Sequence, residues 1–247
     1  SNSCEITNSD VTNLEQVIAN NIKGFAGGFI GTSRTGGLAD VVDDTTVGSF
    51  KDKDSGLINI DRLLGAVTYL VPSYKNCKVT YVNNGGVSAD TAGGFVGELQ
   101  SGSVNNEVLA EGYSVYNLEH VNGRSYAGGF GGNVYSGALA DAGKGISVLG
   151  SLSGLNINIS QLIKLINFYV PNIYYAGIKS DNGFTVSANN IKDNDSNSGS
   201  AGGFIGYGSG VQVSHCDVSN LKNTEVTAPK DLEADEAPTY FDDKDSN

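Results

Sequence analysis

The sequence predicts an all-β chain wound as a parallel β-helix, a solenoid, with two short helical insertions. Three observations carry this: one four-residue motif occurs four times, most segments are short and rich in Val, Ile, Thr and Tyr, and glycine makes up 34 of 247 residues, about twice ordinary usage. Collagen is excluded, since there is no Gly-X-Y period and only 4 prolines. With 39% hydrophobic and 17% charged residues, the chain has enough apolar material for a core.

The repeated motif is Ala-Gly-Gly-Phe. It begins at residues 26, 92, 127 and 201, at intervals of 66, 35 and 74. After each Phe come any residue and a glycine (Gly31, Gly97, Gly132, Gly206), then Thr35-Gly36, Ser101-Gly102, Ser136-Gly137 or Ser209-Gly210. Four glycines in each of four units account for 16 of the 34. In a solenoid, strands of successive coils lie about 4.8 Å apart, so like residues stack on like. Phe29, Phe95, Phe130 and Phe204 are therefore expected to form an inward ladder. The flanking glycines are expected to leave room for the rings and to supply positive φ at the corners. Even spacing of about 8 to 12 or 40 to 45 residues, as in sandwiches or propellers, is not seen.

A second repeat, Val-x-Asn-Leu, occurs at Val11 to Leu14, Val115 to Leu118 and Val218 to Leu221. The segment from Ile58 through Asp61-Arg62-Leu63-Leu64 to Val71-Pro72 matches, at an offset of 99, the segment from Ile157 through Ser160-Gln161-Leu162-Ile163 to Val170-Pro171. Asp61 and Ser160 are good N-caps, and the apolar residues behind them recur at i, i+1, i+4 and i+7, which predicts one amphipathic helix in each segment. Pro72 and Pro171 are expected to stop these helices. Residues 1–224 thus read as one domain of two duplicated halves, 1–106 and 107–224. Residues 225–247 read as an acidic linker or tail, with eight acids against Lys230 and Lys244.

The sequence resembles the GLUG-type repeats of large bacterial surface proteins, including filamentous-haemagglutinin-like adhesins and wall-anchored proteins of gut bacteria. The resemblance rests on the Ala-Gly-Gly-Phe-x-Gly units and covers most of residues 4–221. Phe replaces the Leu of the usual Gly-Gly-Leu-Val-Gly form, and the leucine-rich insertions lie outside the minimal repeat. The resemblance implies a right-handed winding of the β-helix and a place in an extracellular stalk or adhesin at the bacterial surface or cell wall. The absence of an initiator methionine fits a piece of a longer chain, whose neighbouring domains would be its first partners.

Charge narrows the partners. The formal net charge is -12; outside the tail, 19 acids face 13 bases, so neither nucleic acid nor an anionic lipid surface finds counter-charge. No run approaches the about 20 apolar residues of a membrane helix. A glycan or protein ligand on host or neighbouring cells is the expected partner.

For chemistry, the alternative is a carbohydrate-active β-helix, a polysaccharide lyase or hydrolase. Such a site needs clustered carboxylates beside an Arg or Lys. Arg34, Arg62 and Arg124 fall in different repeats, and no pair of carboxylates recurs at strand spacing. His120 and His215 are isolated, and neighbours such as His215 and Cys216 on a strand point to opposite faces. The glycine runs 128–132 and 206–210 lack the long following helix of a phosphate loop. Asp193-x-Asp195-x-Asn197 and Asp243-x-Asp245-x-Asn247 imitate half a calcium loop but lack its glycine and distal glutamate. Calcium is the only cofactor the sequence suggests, and no catalytic, cofactor-binding or metal-ligating residue is assigned. Cys4, Cys77 and Cys216 form no CxxC pair and share an x-Cys-x-aliphatic frame, which predicts small buried residues at equivalent positions. Tyr69, Tyr74 and Tyr81, then Tyr169, Tyr174 and Tyr175, cluster near the insertions and are expected either to pack inward or to meet a ligand. The expected function is non-catalytic: a stalk, or a face presented to a ligand.

Overall fold

A computed structural model describes residues 4–35, 71–108, 112–136, 170–189 and 199–227, which consist of strands and connecting turns. The chain passes repeatedly through three sheets, and each passage forms a tier. The first tier holds β1 (Glu5–Thr7), β2 (Asp10–Ile18), β3 (Phe25–Gly27) and β4 (Ile30–Ser33); the second holds β5 (Ser73–Lys75), β6 (Lys78–Gly93) and β7 (Val96–Gln100). The third contains β8 (Ser103–Asn105), β9 (Tyr113–Tyr116), β10 (His120–Gly128) and β11 (Gly131–Tyr135). The fourth contains β12 (Asn172–Tyr174), β13 (Gly177–Asn189), β14 (Ser200–Gly202) and β15 (Ile205–Ser209), and β16 (Gln212–Ser214) and β17 (Val218–Thr227) follow. Every pairing is parallel and joins consecutive tiers.

The expectation of one right-handed β-helix with two helical insertions is corrected. The strands lie in three separate parallel sheets of five, eight and four strands, and among the described residues there is no helix. The five-stranded sheet runs β1-β5-β8-β12-β16 and the four-stranded sheet β4-β7-β11-β15, whereas the eight-stranded sheet branches, with β6 pairing β2, β3, β9 and β10. The physical reason is that Ala-Gly-Gly-Phe does not mark a uniform rung. It marks one corner, between the eight- and four-stranded sheets, while other corners have their own chemistry and shift the register of the long strands. Both segments expected to be helical, 61–70 and 160–169, lie outside the described residues. Pro72 and Pro171 lead into β5 and β12, each with its carbonyl accepting from the tier above, Ser103 N–H at 2.9 Å and Gln212 N–H at 2.9 Å.

The phenylalanine ladder is present. Ring centroids are 5.0 Å apart for Phe29 and Phe95, 5.1 Å for Phe95 and Phe130, and 5.0 Å for Phe130 and Phe204, with interplanar angles of 4°, 7° and 15°. The backbone repeats this step: Phe29 N–H donates to Phe95 O at 2.9 Å, Phe95 N–H to Phe130 O at 2.8 Å, and Phe130 N–H to Phe204 O at 2.8 Å. Phe95 and Phe130 are fully buried, and the end members Phe29 and Phe204 are half-buried against the same core. Tyr74, Val104 and Ile173 align inward in the five-stranded sheet. Tyr81 is also fully buried, its hydroxyl donating to Gly94 O at 2.6 Å.

The glycines of the motif serve close backbone approach. A Cβ at Gly93 would fall inside contact distance of Val96 O and 2.7 Å from Gly132 N; one at Gly27 would strike Ile30 O and lie 2.6 Å from Gly97 N. The eight- and four-stranded sheets therefore meet backbone to backbone at this corner, and any side chain would wedge them apart. None of the Gly-Gly pairs has positive φ, contrary to expectation; among the motif glycines described, only Gly102 (φ 100) and Gly210 (φ 62), at the corner leading back to the five-stranded sheet, take the left-handed conformation.

Val-x-Asn-Leu marks a bend within the eight-stranded sheet. Asn13, Asn117 and Asn220 have φ of 57°, 53° and 62°, in the left-handed region that asparagine tolerates better than most residues. The flanking Val115 and Leu118 stay in the core.

The cysteines are equivalent only in part. Cys77 and Cys216 each follow a left-handed corner residue (Asn76, His215), and each Sγ donates to the carbonyl two residues before it at 3.3 Å. Cys4 instead precedes β1 at the level of Pro72, with Ser73 N–H donating to its carbonyl and its Sγ 3.4 Å from the Tyr74 hydroxyl. All three are free thiols, and burial pushes the Cys77 and Cys216 thiols up.

Candidate functional site: the outer face of the five-stranded sheet

Each strand of this sheet is a polar-apolar-polar triplet: Glu5-Ile6-Thr7, Ser73-Tyr74-Lys75, Ser103-Val104-Asn105, Asn172-Ile173-Tyr174 and Gln212-Val213-Ser214. Successive side chains in a strand point to opposite faces, so two polar rows face outward while the apolar centre turns inward. That centre is fully buried at Tyr74, Val104 and Ile173, partly buried at Ile6, and 47% exposed at Val213 in the end strand. The register makes these rows continuous: Glu5, Ser73, Ser103, Asn172 and Gln212 in one, Thr7, Lys75, Asn105, Tyr174 and Ser214 in the other. Lys75, Ser103, Asn105, Asn172, Tyr174 and Gln212 line a groove of about 560 Å³.

The ends of the face differ. At the first tiers, Lys75 Nζ and Glu5 Oε1 form an exposed ion pair at 2.9 Å, and Lys78 and Asp10 lie 3.3 Å apart nearby. From β8 onward the outward groups are uncharged. Ser103 donates to Ser73 at 3.2 Å, and Asn105 Oδ1 accepts from Glu107 N–H at 3.0 Å. Among the described residues, the side chains of Asn172, Gln212 and Ser214 have no partner. At the corner next to these rows, Tyr174, Tyr175 and His215 form an aromatic cluster, with Tyr174 4.5 Å from Tyr175 and 4.9 Å from His215, and Tyr175 4.9 Å from His215. Partial desolvation, a hydrogen bond with Tyr175 and the charge of Glu107 push the Tyr174 phenol up.

Other residues singled out from the sequence do not join this face. Arg34 reaches the next tier, where its Nε meets Glu98 Oε1 at 2.7 Å, and its guanidinium sits 5.7 Å over the Phe25 ring. Glu98 is only 5% exposed while Arg34 keeps nearly half of its side chain in solvent, so the pair links tiers one and two from the surface inward. His120 lies on β10 in register with Gly86 and Thr185, half-buried, and burial lowers its pKa against the opposing pull of Glu119. Tyr74 and Tyr81 are core residues. Tyr69, Tyr169, Arg62 and both aspartate-rich triplets fall outside the described residues. Among the described residues, no group of three or more His, Cys, Asp or Glu could hold a metal, and no helix is long and apolar enough to cross a membrane.

Sequence reasoning missed the outward rows. Their signal was the triplet itself, repeated five times and followed each time by Asn, Tyr or His, but it becomes visible only when the tiers are aligned at the corner after the triplet. Among the described residues, fold and face define an all-β protein of stacked parallel tiers with an open polar face on the five-stranded sheet. No family model matches the chain, and no curated protein or solved structure matches it.

Proposed function

We propose that this chain is a non-catalytic structural and adhesive unit of a bacterial cell-surface protein of the GLUG-repeat kind, holding or presenting a binding face outside the cell. The observation that carries this reading is the combination of like-on-like stacking with an open polar face. Tiers added along one axis give length without a new core, while the outer rows of the five-stranded sheet are left to meet a ligand. The interior supports rigidity: backbone hydrogen bonds cross every tier boundary, and the phenylalanine ladder, fully buried at Phe95 and Phe130, crosses three of them. The tiers accommodate long insertions at one corner, since residues 36–70 and 137–169 each fall between a strand of the four-stranded sheet (β4, β11) and one of the five-stranded sheet (β5, β12).

The test has two arms. Immobilised chain is expected to retain cells or extracellular matrix, with soluble chain competing. The same chain incubated with neutral and acidic polysaccharides is expected to release no reducing ends and no unsaturated products. Retention of no surface, or turnover of any polysaccharide, would refute the reading.

A further inference from the structure

We infer that the outer face of the five-stranded sheet from β8 to β16 is a binding site for a neutral oligosaccharide lying across the strands. This rests on the adhesive reading above and names its ligand class. Three features of the face point to sugar. The first is chemical: Asn105, Asn172 and Gln212 carry primary amides, each with donors and acceptors on one planar group, flanked by the hydroxyls of Ser103 and Ser214. Amides of this kind match vicinal sugar hydroxyls, which also donate and accept. Because Asn172, Gln212 and Ser214 have no side-chain partner among the described residues, their groups are open to a ligand without breaking an internal bond.

The second is geometric. Parallel register sets equivalent positions about 4.8 Å apart from tier to tier, a step close to the length of one pyranose in an extended oligosaccharide. A chain crossing the strands therefore meets an equivalent pair of polar side chains at each sugar, along a groove of about 560 Å³. The third is the aromatic cluster of Tyr174, Tyr175 and His215 at one edge, where a sugar's apolar C–H face can stack against a ring while hydroxyls reach the amides.

Charge selects neutral over acidic sugar. The tiers that carry the amides place no charge in the two outward rows, the one lysine of the groove is engaged with Glu5, and the chain as a whole is at -12. Among the described residues of this face, a uronic acid or sulfated sugar finds no cation without an acidic partner.

The experiment titrates the full chain with cellohexaose, mannohexaose and chitohexaose, with hexagalacturonic acid as the acidic counterpart, by calorimetry and by amide shift perturbation. Saturable binding of at least one neutral hexasaccharide is expected, with shifts centred on β8, β12 and β16. Tyr174→Ala and the pair Asn172→Ala with Gln212→Ala should each weaken it about tenfold or more, while Ser125→Ala on the eight-stranded sheet leaves it unchanged; melting curves confirm that each variant is folded. No neutral binding at millimolar sugar, binding that survives the face variants, or preference for the acidic sugar overturns the inference. The two readings fail separately. Cell retention that persists in Tyr174→Ala sinks this site but not adhesion, and oligosaccharide binding without retention of any surface sinks adhesion but not this site.

Discussion

Removing one ring from the ladder tests the core most sharply. Phe130 is fully buried, stacked at 5.1 Å on Phe95 and 5.0 Å on Phe204, and glycine backbone on either side of the corner cannot move into a vacated space without breaking the inter-tier hydrogen bonds. Phe130→Ala should therefore cost about 3–5 kcal/mol, the upper range for aromatic truncation where collapse is blocked. At about 2–4 °C per kcal/mol for a chain of this size, the melting temperature should fall by roughly 6–20 °C. Phe204→Ala is the internal control: half-buried, with one ring neighbour instead of two, it should lose about half as much. Thermal and urea denaturation of the two variants against the parent decide it. Equal losses at both positions, or a shift at Phe130 below about 2 °C, would refute ladder stacking as the source of stability.

Three further outcomes follow from the corners and from burial. Gly128→Ala should destabilise by roughly 1–3 kcal/mol, because the new Cβ strikes Gly131 O and lies 2.5 Å from Gly206 N, whereas Gly208→Ala, with its nearest neighbour at 3.5 Å, should be tolerated; denaturant midpoints compare them. Asn117→Ala should cost about 1 kcal/mol through its left-handed φ of 53°, and Asn117→Gly should restore most of it, read as chemical stability. His120 has its pKa lowered in the folded chain by burial, so below the unfolded value of 6.5 the unfolded state binds the extra proton first; stability should fall as pH drops through and below 6.5, and His120→Gln should remove that step from the stability profile.

How legible was this protein? The Phe ladder could be read directly, since four identical motifs at unlike spacings make sense only if stacking brings them together. The parallel strand character followed from the same motif, since stacking like on like requires strands of successive tiers to run the same way. It held even though Asn84-Gly85, Asn122-Gly123 and Asn182-Gly183 carry a hairpin-turn signal that lies inside β6, β10 and β13. Two physical points were hidden. Glycine has two uses, positive φ and close approach, and composition cannot separate them; only the near-contact of Gly93 with Val96 and Gly132 shows which applies. The triplets Ser-Val-Asn and Asn-Ile-Tyr look like any exposed edge until the register sets Asn105 beside Tyr174. A site made of two alternate residues per strand, with each strand in a different tier, leaves no local motif. The same holds for the Arg34 and Glu98 pair, 64 residues apart in sequence, which no spacing rule would join.

The central claim is that each Ala-Gly-Gly-Phe corner sits directly on the next. Through-hydrogen-bond couplings in a deuterated, 15N,13C-labelled sample measure this without a probe. Couplings are predicted from the amide nitrogen of Phe29 to the carbonyl carbon of Phe95, from Phe95 to Phe130, and from Phe130 to Phe204. Couplings from these amides to any other carbonyls, or to none, would contradict the stacked order.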